Sequence, residues 1–341
     1  MAVAEGTEKS LCAIYVDMGT TNSHLWLMLG ERVLASTNAS VGVRDGSARV
    51  RASLRESIAE VGASAPGAAR YVAAAGMIGS SLGLVEVPHL RPPVGVRELI
   101  AGARWHHFSD VTELPVLLIP GVRSGDEQPT VESVFDTDVM RGEETLCAGL
   151  FALGLVAPPC IVLNLGSHWK AIELDRDGRI QSSITSLSGE LIHAAQLHTI
   201  LASSVSSEKP QQLAQSWIDA GMKEQRRSGL GRAAFAVRLL DLAEQGTKED
   251  RLAFLIGAFI ASDVDGLLSR GMLRSDLNVA VVGSAAIAET WRSALTESEI
   301  PARVISMAEA EKALLTASRL ILVESCHTTA AKSLNRRTSS S

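Results

Sequence analysis

The sequence predicts an α/β protein built of two related lobes, and three observations carry that reading. The chain has 341 residues, more than one hydrophobic core usually organises. A pattern of strand, loop, strand, turn and strand occurs twice, at residues 11–36 and again at 160–185. Around these repeats, apolar strands run into glycine turns and helical periods. The composition supports a packed core, because 46% hydrophobic against 21% charged residues is the balance of a folded domain. A net charge of -6 leaves no electrostatic footprint for nucleic acid, and no basic amphipathic face stands out for a membrane surface, so neither is expected as a main partner. No apolar run approaches the roughly 20 residues that span a bilayer. The N-terminal MAVAEGTEKS lacks a charged start followed by an apolar signal core, and the protein is expected to be cytoplasmic. Cys12, Cys147, Cys160 and Cys326 show neither paired spacing nor histidine partners, which predicts buried thiols rather than a disulfide or zinc framework.

The first repeat reads LCAIYVD, a loop MGTTNS, HLWLML, a turn GER and VLAS. This is a meander, whereas Walker-type and dinucleotide loops place phosphate at a helix start. No GxxxxGK[ST] occurs in the chain. Asp17 opens the loop, and Gly19, Thr20, Thr21 and Asn22 are residues that by themselves indicate only a tight turn. YVAAAGMIGSS, residues 71–81, is a strand entering a glycine loop. Gly76, Gly79 and Gly83 approximate a dinucleotide fingerprint, yet the spacing is GxxGxxxG and the chain continues into VEVPHLRPP instead of a helix. VLLIPGV at 117–123 is a further strand. In DTDVMRGEETLCAGLFALGL, Glu143 and Glu144 begin an apolar-rich helix, where first-turn acids are also ordinary capping. Arg141 just before them is a fixed cation able to hold a substrate carboxylate as a bidentate pair.

The second repeat reads CIVLNLGSHWKAIELDRDGRIQSSIT, and Asn164, Gly166 and Ser167 follow Asp17, Gly19 and Thr20 at a constant offset of 147 residues. Duplication raises the weight of each loop. Two hairpin loops facing each other across a cleft would grip a polyphosphate through turn N–H groups and hydroxyls. Only Asp17 carries a carboxylate at this place, so only the first loop can hold magnesium, directly or through its waters. SITSLSGELIHAAQLHTIL leaves the second repeat and enters a helix with Glu190; His193 and His198 are given no role. Residues 203–232 are polar and helical at best, 233–269 read as two amphipathic helices, and AEKALLTASRLILVE as a last one. In VAVVGSAAIAETW, Gly283 and Ser284 form a strand-to-helix turn that a flat base or ribose could approach, and a plain turn is an equal reading. The polar, Ser-rich segment from Cys326 is expected to be a mobile end.

VDMGTTN, AGMIGSSLG, IPGV, VMRGEET, LNLGSHWK, SLSGEL with HTIL downstream, and VVGSAAI occur in that order between residue 12 and about 322. Together they resemble the sugar kinases of the actin, hexokinase and Hsp70 fold, and within it the 2-dehydro-3-deoxygalactonokinase family. VMRGEET followed by the GSHWK loop is the most specific part. The resemblance implies a ribonuclease H-like (actin/hexokinase-type) α/β fold of two lobes, each a mixed sheet flanked by helices, with a central cleft. The N-terminal lobe would be residues 1–140, the C-terminal lobe 141–325, and 326–341 a disordered tail. It implies ATP and Mg²⁺ as cofactors and a small-molecule sugar acid as partner, with a homodimer left open. The γ-phosphoryl of ATP would pass to the 6-hydroxyl of 2-dehydro-3-deoxy-D-galactonate, giving 2-dehydro-3-deoxy-6-phosphogalactonate and ADP. Gly142-Glu143-Glu144 stands where the wider family has a Gly-Asp-Gln-type motif, which makes Glu143 the base by analogy and Glu144 its alternative. Asp17 would hold hydrated Mg²⁺, Gly19 to Asn22 and Gly166, Ser167 and His168 would cradle the phosphates, and Gly283 and Ser284 would meet the adenosine. Arg141, Gly79, Ser80, Ser81, Ser188 and Glu190 would fall on the substrate side, and Lys170 would steady developing charge if it points inward. Relatives commonly carry Arg in place of His24, Trp in place of Met18, and Asn and Trp near Ser81 and Leu84, departures that bear on which sugar acid is accepted. A kinase for a related sugar or sugar acid and a non-catalytic nucleotide-binding module of the same fold are the alternatives.

Overall fold

A computed structural model describes residues 11–338. The chain divides into two compact units: one runs to Leu155 and adds Gly178–Ile180 and the residues from Glu311 on, and the other comprises Val156–Asp177 and Gln181–Ala310. The division lies at 155, later than the expected 140, because the helix opened by Glu143 packs in the first unit. A Cβ on its Gly149 would come within 1.8 Å of the Ala313 carbonyl oxygen, so the two backbones are in direct contact.

The first unit is built on a six-stranded sheet of β1 (Cys12–Met18), β2 (Ser23–Leu29), β3 (Arg32–Ala39), β4 (Tyr71–Gly76), β5 (Arg104–Phe108) and β6 (Thr112–Leu118), in the order β3-β2-β1-β4-β6-β5. β1 is buried along its length, Asp17 being the one residue that keeps some exposure, as expected of a central strand that is apolar on both faces. It pairs antiparallel with β2 and parallel with β4, and this double pairing fixes the strand end that carries Asp17. Between β3 and β4, α1 (Ser47–Gly62) covers the sheet with Val50, Leu54, Ile58 and Val61, a spacing that lines one helical face. A shorter helix α2 (Val96–Gly102), the two-stranded ribbon β7 (Val122–Ser124) and β8 (Asp138–Met140), and α3 (Glu143–Ala152) follow.

The second unit repeats the plan with β9 (Cys160–Leu165), β10 (Trp169–Leu174), β11 (Ile180–Ser186), β12 (Asn278–Gly283) and β13 (Ala302–Ile305), ordered β11-β10-β9-β12-β13. Its five positions match the first five of the other sheet, β3-β2-β1-β4-β6, so the duplication read from the hairpins extends to every strand but β5. Asp17 and Asn164 both stand one residue before their strand ends. Four helices intervene before β12: α4 (Ser188–His198), α5 (Gln215–Ser228), α6 (Leu230–Leu242) and α7 (Lys248–Ser269). α7 begins with a reciprocal cap between Thr247 and Asp250 and is buried on nearly every face. By length and composition it is apolar enough to cross a membrane, which corrects the expectation that no run comes near that limit. Burial of 67% of its most apolar window marks it as a core helix. α8 (Ala285–Glu297) follows β12, and α9 (Met307–Thr338) closes the chain. The expected mobile end from Cys326 is helical as far as Thr338, since no Gly or Pro interrupts the period, and residues 339–341 lie outside the described residues. Cys12, Cys147 and Cys160 are buried free thiols and Cys326 is half-buried.

Candidate active site

Asp17 is carried to the site by β1 and stands beside two glycines that lack a side chain for a reason. Gly76, at the end of β4, has φ of 86° and its missing Cβ would lie 2.3 Å from the Met18 carbonyl oxygen and 3.2 Å from Asp17 Oδ1. Gly142, with φ of 108°, would place a Cβ 3.4 Å from Gly76 Cα and 3.6 Å from Asp17 Oδ1. These approaches bring the start of α3 onto the carboxylate of Asp17. Burial, and then the neighbouring charge of Glu143, raise the pKa of Asp17 to about 6.

The two adjacent acids of α3 have different surroundings. Glu144 is fully buried, and both of its oxygens accept from the Gly142 backbone N–H, at 2.9 and 2.8 Å, while Thr145 Oγ1 donates to one of them at 3.2 Å. Its pKa is raised to about 7 by burial and then by Glu143, against the pull of those hydrogen bonds. Glu144 therefore caps its own helix from inside, as first-turn acids do. Glu143 is half-buried and is the acid whose charge reaches Asp17.

Around the first loop, Gly19 N–H donates to the Asn22 carbonyl at 2.9 Å, and Asn22 Nδ2 donates to Thr21 Oγ1 at 3.0 Å. Thr21 and Asn22 are exposed, Thr20 half-buried. The loop rests on Gly42, whose Cβ would meet Thr20 and Thr21 backbone atoms at 2.3 to 2.4 Å. Arg44 N–H donates to the Thr20 carbonyl. Gly42 carries no signal in the sequence, because its contact is made across a strand and a loop. Arg141 lies next to Gly79: Nη1 would be 3.5 Å from a Cβ there, and this nitrogen is buried without a protein hydrogen-bond partner. Arg141 Nη2 donates to the Val87 carbonyl at 2.7 Å and stands 3.4 Å from His89 Nδ1. Burial lowers the pKa of Arg141, with Glu144 and Glu86 acting in the other direction. His89, in the VEVPHLRPP run, carries no signal of its own in the sequence, being a lone histidine among prolines. Ser80 spends its hydroxyl on the Met77 carbonyl at 2.6 Å, and Ser81 is exposed.

In the second unit, Gly166 and Ser167 are exposed in the β9–β10 loop, and their carbonyls press on Gly189, where a Cβ would come within 2.5 and 2.6 Å. His168 Nε2 lies 3.1 Å from Glu190 Oε2. Ser188 Oγ is 2.6 Å from Ser186 Oγ, so its side chain is engaged within the turn that starts α4. Gly283 packs on Leu165, 2.9 Å from its Cβ to a missing Cβ, in the same parallel register that sets Gly76 beside Met18 in the first unit. Ser284 is exposed at the start of α8 and makes no side-chain cap. Lys170 is buried on β10, and its strand places it opposite Asn164.

Comparison with known proteins agrees with this arrangement. A sequence model of the 2-keto-3-deoxy-galactonokinase family matches residues 17–317. A Rhizobium meliloti (strain 1021) protein named "probable 2-dehydro-3-deoxygalactonokinase" is 30% identical over 308 residues, 89% of this chain and 95% of the relative. The 2-dehydro-3-deoxygalactonokinase of Escherichia coli (strain K12) is 27% identical over 256 residues, 74% of this chain and 78% of the relative. The crystal structure of a "putative 2-dehydro-3-deoxygalactonokinase" from Sinorhizobium meliloti superposes with a TM-score of 0.71 at 26% identity, covering 91% of this chain and 99% of that one. An activator of 2-hydroxyisocaproyl-CoA dehydratase from Clostridium difficile, with bound ADPNP, shares the fold at a TM-score of 0.51 and 14% identity, covering 94% and 98%. The match from Asp17 to residue 317 begins at the end of β1 and takes in every later strand and every loop described above, and the chain belongs to the 2-keto-3-deoxy-galactonokinase family.

Proposed function

We propose that the chain transfers the γ-phosphoryl group of ATP to the 6-hydroxyl of 2-dehydro-3-deoxy-D-galactonate, with Glu143 as general base and Asp17 as the carboxylate that handles the metal-bound phosphates. The observation that carries this reading is the meeting of Asp17 with Gly76, Gly142 and Glu143, a pair of acids at strand and helix ends kept close by two glycines. Phosphoryl transfer asks the protein for alignment, charge neutralisation and a group that accepts the hydroxyl proton. Glu144, already engaged by Gly142, is the less suited acid.

Among the described residues no group of three or more His, Cys, Asp or Glu side chains could hold a metal ion, which does not fit a protein-built cage. One carboxylate at a strand end does fit Mg²⁺, which commonly keeps its waters and binds through one or two carboxylates plus substrate phosphates. Asp17 would hold it, and the ion would supply positive charge against the phosphate oxygens. Arg141 would take the sugar acid's carboxylate with its buried, unpartnered Nη1, in the space that Gly79 leaves without a side chain. Gly19 to Asn22 and Gly166 to His168 would contact phosphates, and Gly283 and Ser284 the nucleoside. ATP as donor fits a cytoplasmic enzyme. A coupled assay of ADP release across 2-keto-3-deoxy sugar acids and plain sugars tests the proposal. Stimulation by the galactonate derivative supports it, and ATP binding without stimulation by any acceptor would leave only a nucleotide-binding module.

A further inference from the structure

We propose that Asp263 is a positioning residue for the nucleotide: through Ser186 and Ser188 it sets where the Gly166–Ser167 loop stands. This deepens the reading of that loop as a phosphate contact and rests on it. Asp263 lies on α7, away from the loop in sequence, and Ser186 Oγ donates to its Oδ1 at 3.1 Å. Ser186 Oγ in turn accepts from the Ser188 N–H at 3.0 Å and lies 2.6 Å from Ser188 Oγ. The start of α4 has no side-chain cap of its own, since its N-cap residue is Leu187. Ser186 serves instead, and Asp263 holds Ser186. The next two residues of α4 carry the loop: Gly189 lies under the carbonyls of Gly166 and Ser167, and Glu190 faces His168 at 3.1 Å. Three successive residues thus link a half-buried carboxylate to the backbone expected to meet phosphate.

The site is costly to maintain, which is consistent with a use beyond packing. Asp263 Oδ2 is buried and meets no protein hydrogen-bond partner. Burial raises the carboxyl's pKa, opposed by the serine hydrogen bonds. Asp263 also lines a cavity of about 120 Å³ with Trp169, Lys170 and Trp291, so truncation enlarges existing space rather than forcing neighbours apart. Trp169 supplies a reporter, because its Nε1 would be 3.0 Å from a Cβ on Gly189, and its ring meets Trp291 edge-on at 5.6 Å.

The test compares ATP binding, followed by tryptophan fluorescence, and steady-state KM values for Asp263→Ala, Asp263→Asn, Ser186→Ala and the double variant Asp263→Ala/Ser186→Ala. Asp263→Ala is expected to weaken ATP binding by about 5- to 10-fold, the effect of one lost hydrogen-bonded support, with the KM of the sugar acid unchanged. Asp263→Asn, which keeps an acceptor for Ser186, is expected to recover most of the loss. The double variant should be no weaker than the worse single one, because both act through one chain of contacts. ATP affinities within twofold of the parent for both Asp263→Ala and Ser186→Ala overturn the inference, as does an equal rise in both KM values. Should Asp263→Ala not fold, Ser186→Ala alone decides. Failure of the unaltered protein to bind ATP overturns the phosphate-loop reading itself, a different outcome from an unaltered protein that binds and variants that bind equally well.

Discussion

Glu143 and Glu144 sit side by side in the chain, and substitution separates them. Glu143→Gln should lower kcat by about 10²- to 10⁴-fold, the usual contribution of a positioned base, without lowering the melting temperature, since it removes the charge that acts against Asp17 and Glu144. Glu144→Ala should instead destabilise by about 1–3 kcal/mol, because it leaves the Gly142 N–H without its buried acceptor. Glu144→Gln, which keeps an acceptor, should cost less. A Glu143→Gln enzyme with near-parental turnover would refute the assignment. The raised pKa values of Asp17, about 6, and Glu144, about 7, also fix a sign. Between pH 4 and 7 the folded protein holds protons that the unfolded chain has released, so each group's contribution to stability is complete at low pH and lost as pH rises through its folded value. Asp17→Asn should therefore be more stable than the parent at pH 8 and converge with it near pH 4, as read by thermal melts; an equal difference at both would exclude a titrating Asp17. Catalysis runs the other way, requiring the charged form, so kcat/KM should fall on the acid side near pH 6. His24 is the cross-strand neighbour of Asp17 on the same sheet face, and its own pKa is lowered by burial. His24→Arg would place a permanent cation there and should move that acid limb downward.

Among the elements, α7 organises the second unit through one buried cation. Arg251 donates to the carbonyls of Ser204, Gln245 and Gly246 at 2.7, 2.9 and 2.9 Å and pairs with Asp241 at 3.1 Å. It ties the turn before α5 and the end of α6 to the first turn of α7. Losing its three hydrogen bonds leaves the Ser204, Gln245 and Gly246 carbonyls without their donor, so Arg251→Met should lose about 1–3 kcal/mol in denaturant unfolding without altering either substrate's KM in the folded fraction. Further along, α5 and α7 meet backbone to backbone. A Cβ on Gly221 would lie 1.9 Å from the Phe254 carbonyl oxygen, and one on Gly257 would lie 2.3 Å from that of Ile218. Gly221→Ala should force these helices apart at a cost of about 1–3 kcal/mol, as overpacked cores do.

For the whole molecule, saturating nucleotide should stabilise the fold by about 2.7 kcal/mol at one hundred times Kd. Chelation of divalent cations should abolish turnover while leaving an ATP-dependent change in tryptophan fluorescence. Loss of the fluorescence change together with turnover would show that the metal is needed for binding as well as catalysis. Much of the architecture was legible because its signals are local. The VDMGTT and LNLGSH hairpins announce themselves by apolar alternation ending in glycine, and a constant offset joins them. What escaped depends on distant partners. Gly42 matters only because Thr20 lies against it, His89 only because Arg141 reaches it, and Asp263 only because Ser186 stands across a strand end. The boundary was misplaced for the same reason, since nothing near residue 140 reveals that Gly149 touches Ala313.

Gly42, Gly76 and Gly189 each hold open the space in which a main-chain bend lies against its neighbour. Every amino acid that a single base change can put in place of glycine brings at least a methyl group, so these three codons have almost no tolerated mutational neighbours. Lineages descending from this gene should show them as fixed columns even where the sugar-contacting residues drift, and a saturation library selected for growth should return glycine at all three while remaining diverse at Gly62, where a side chain would meet open space.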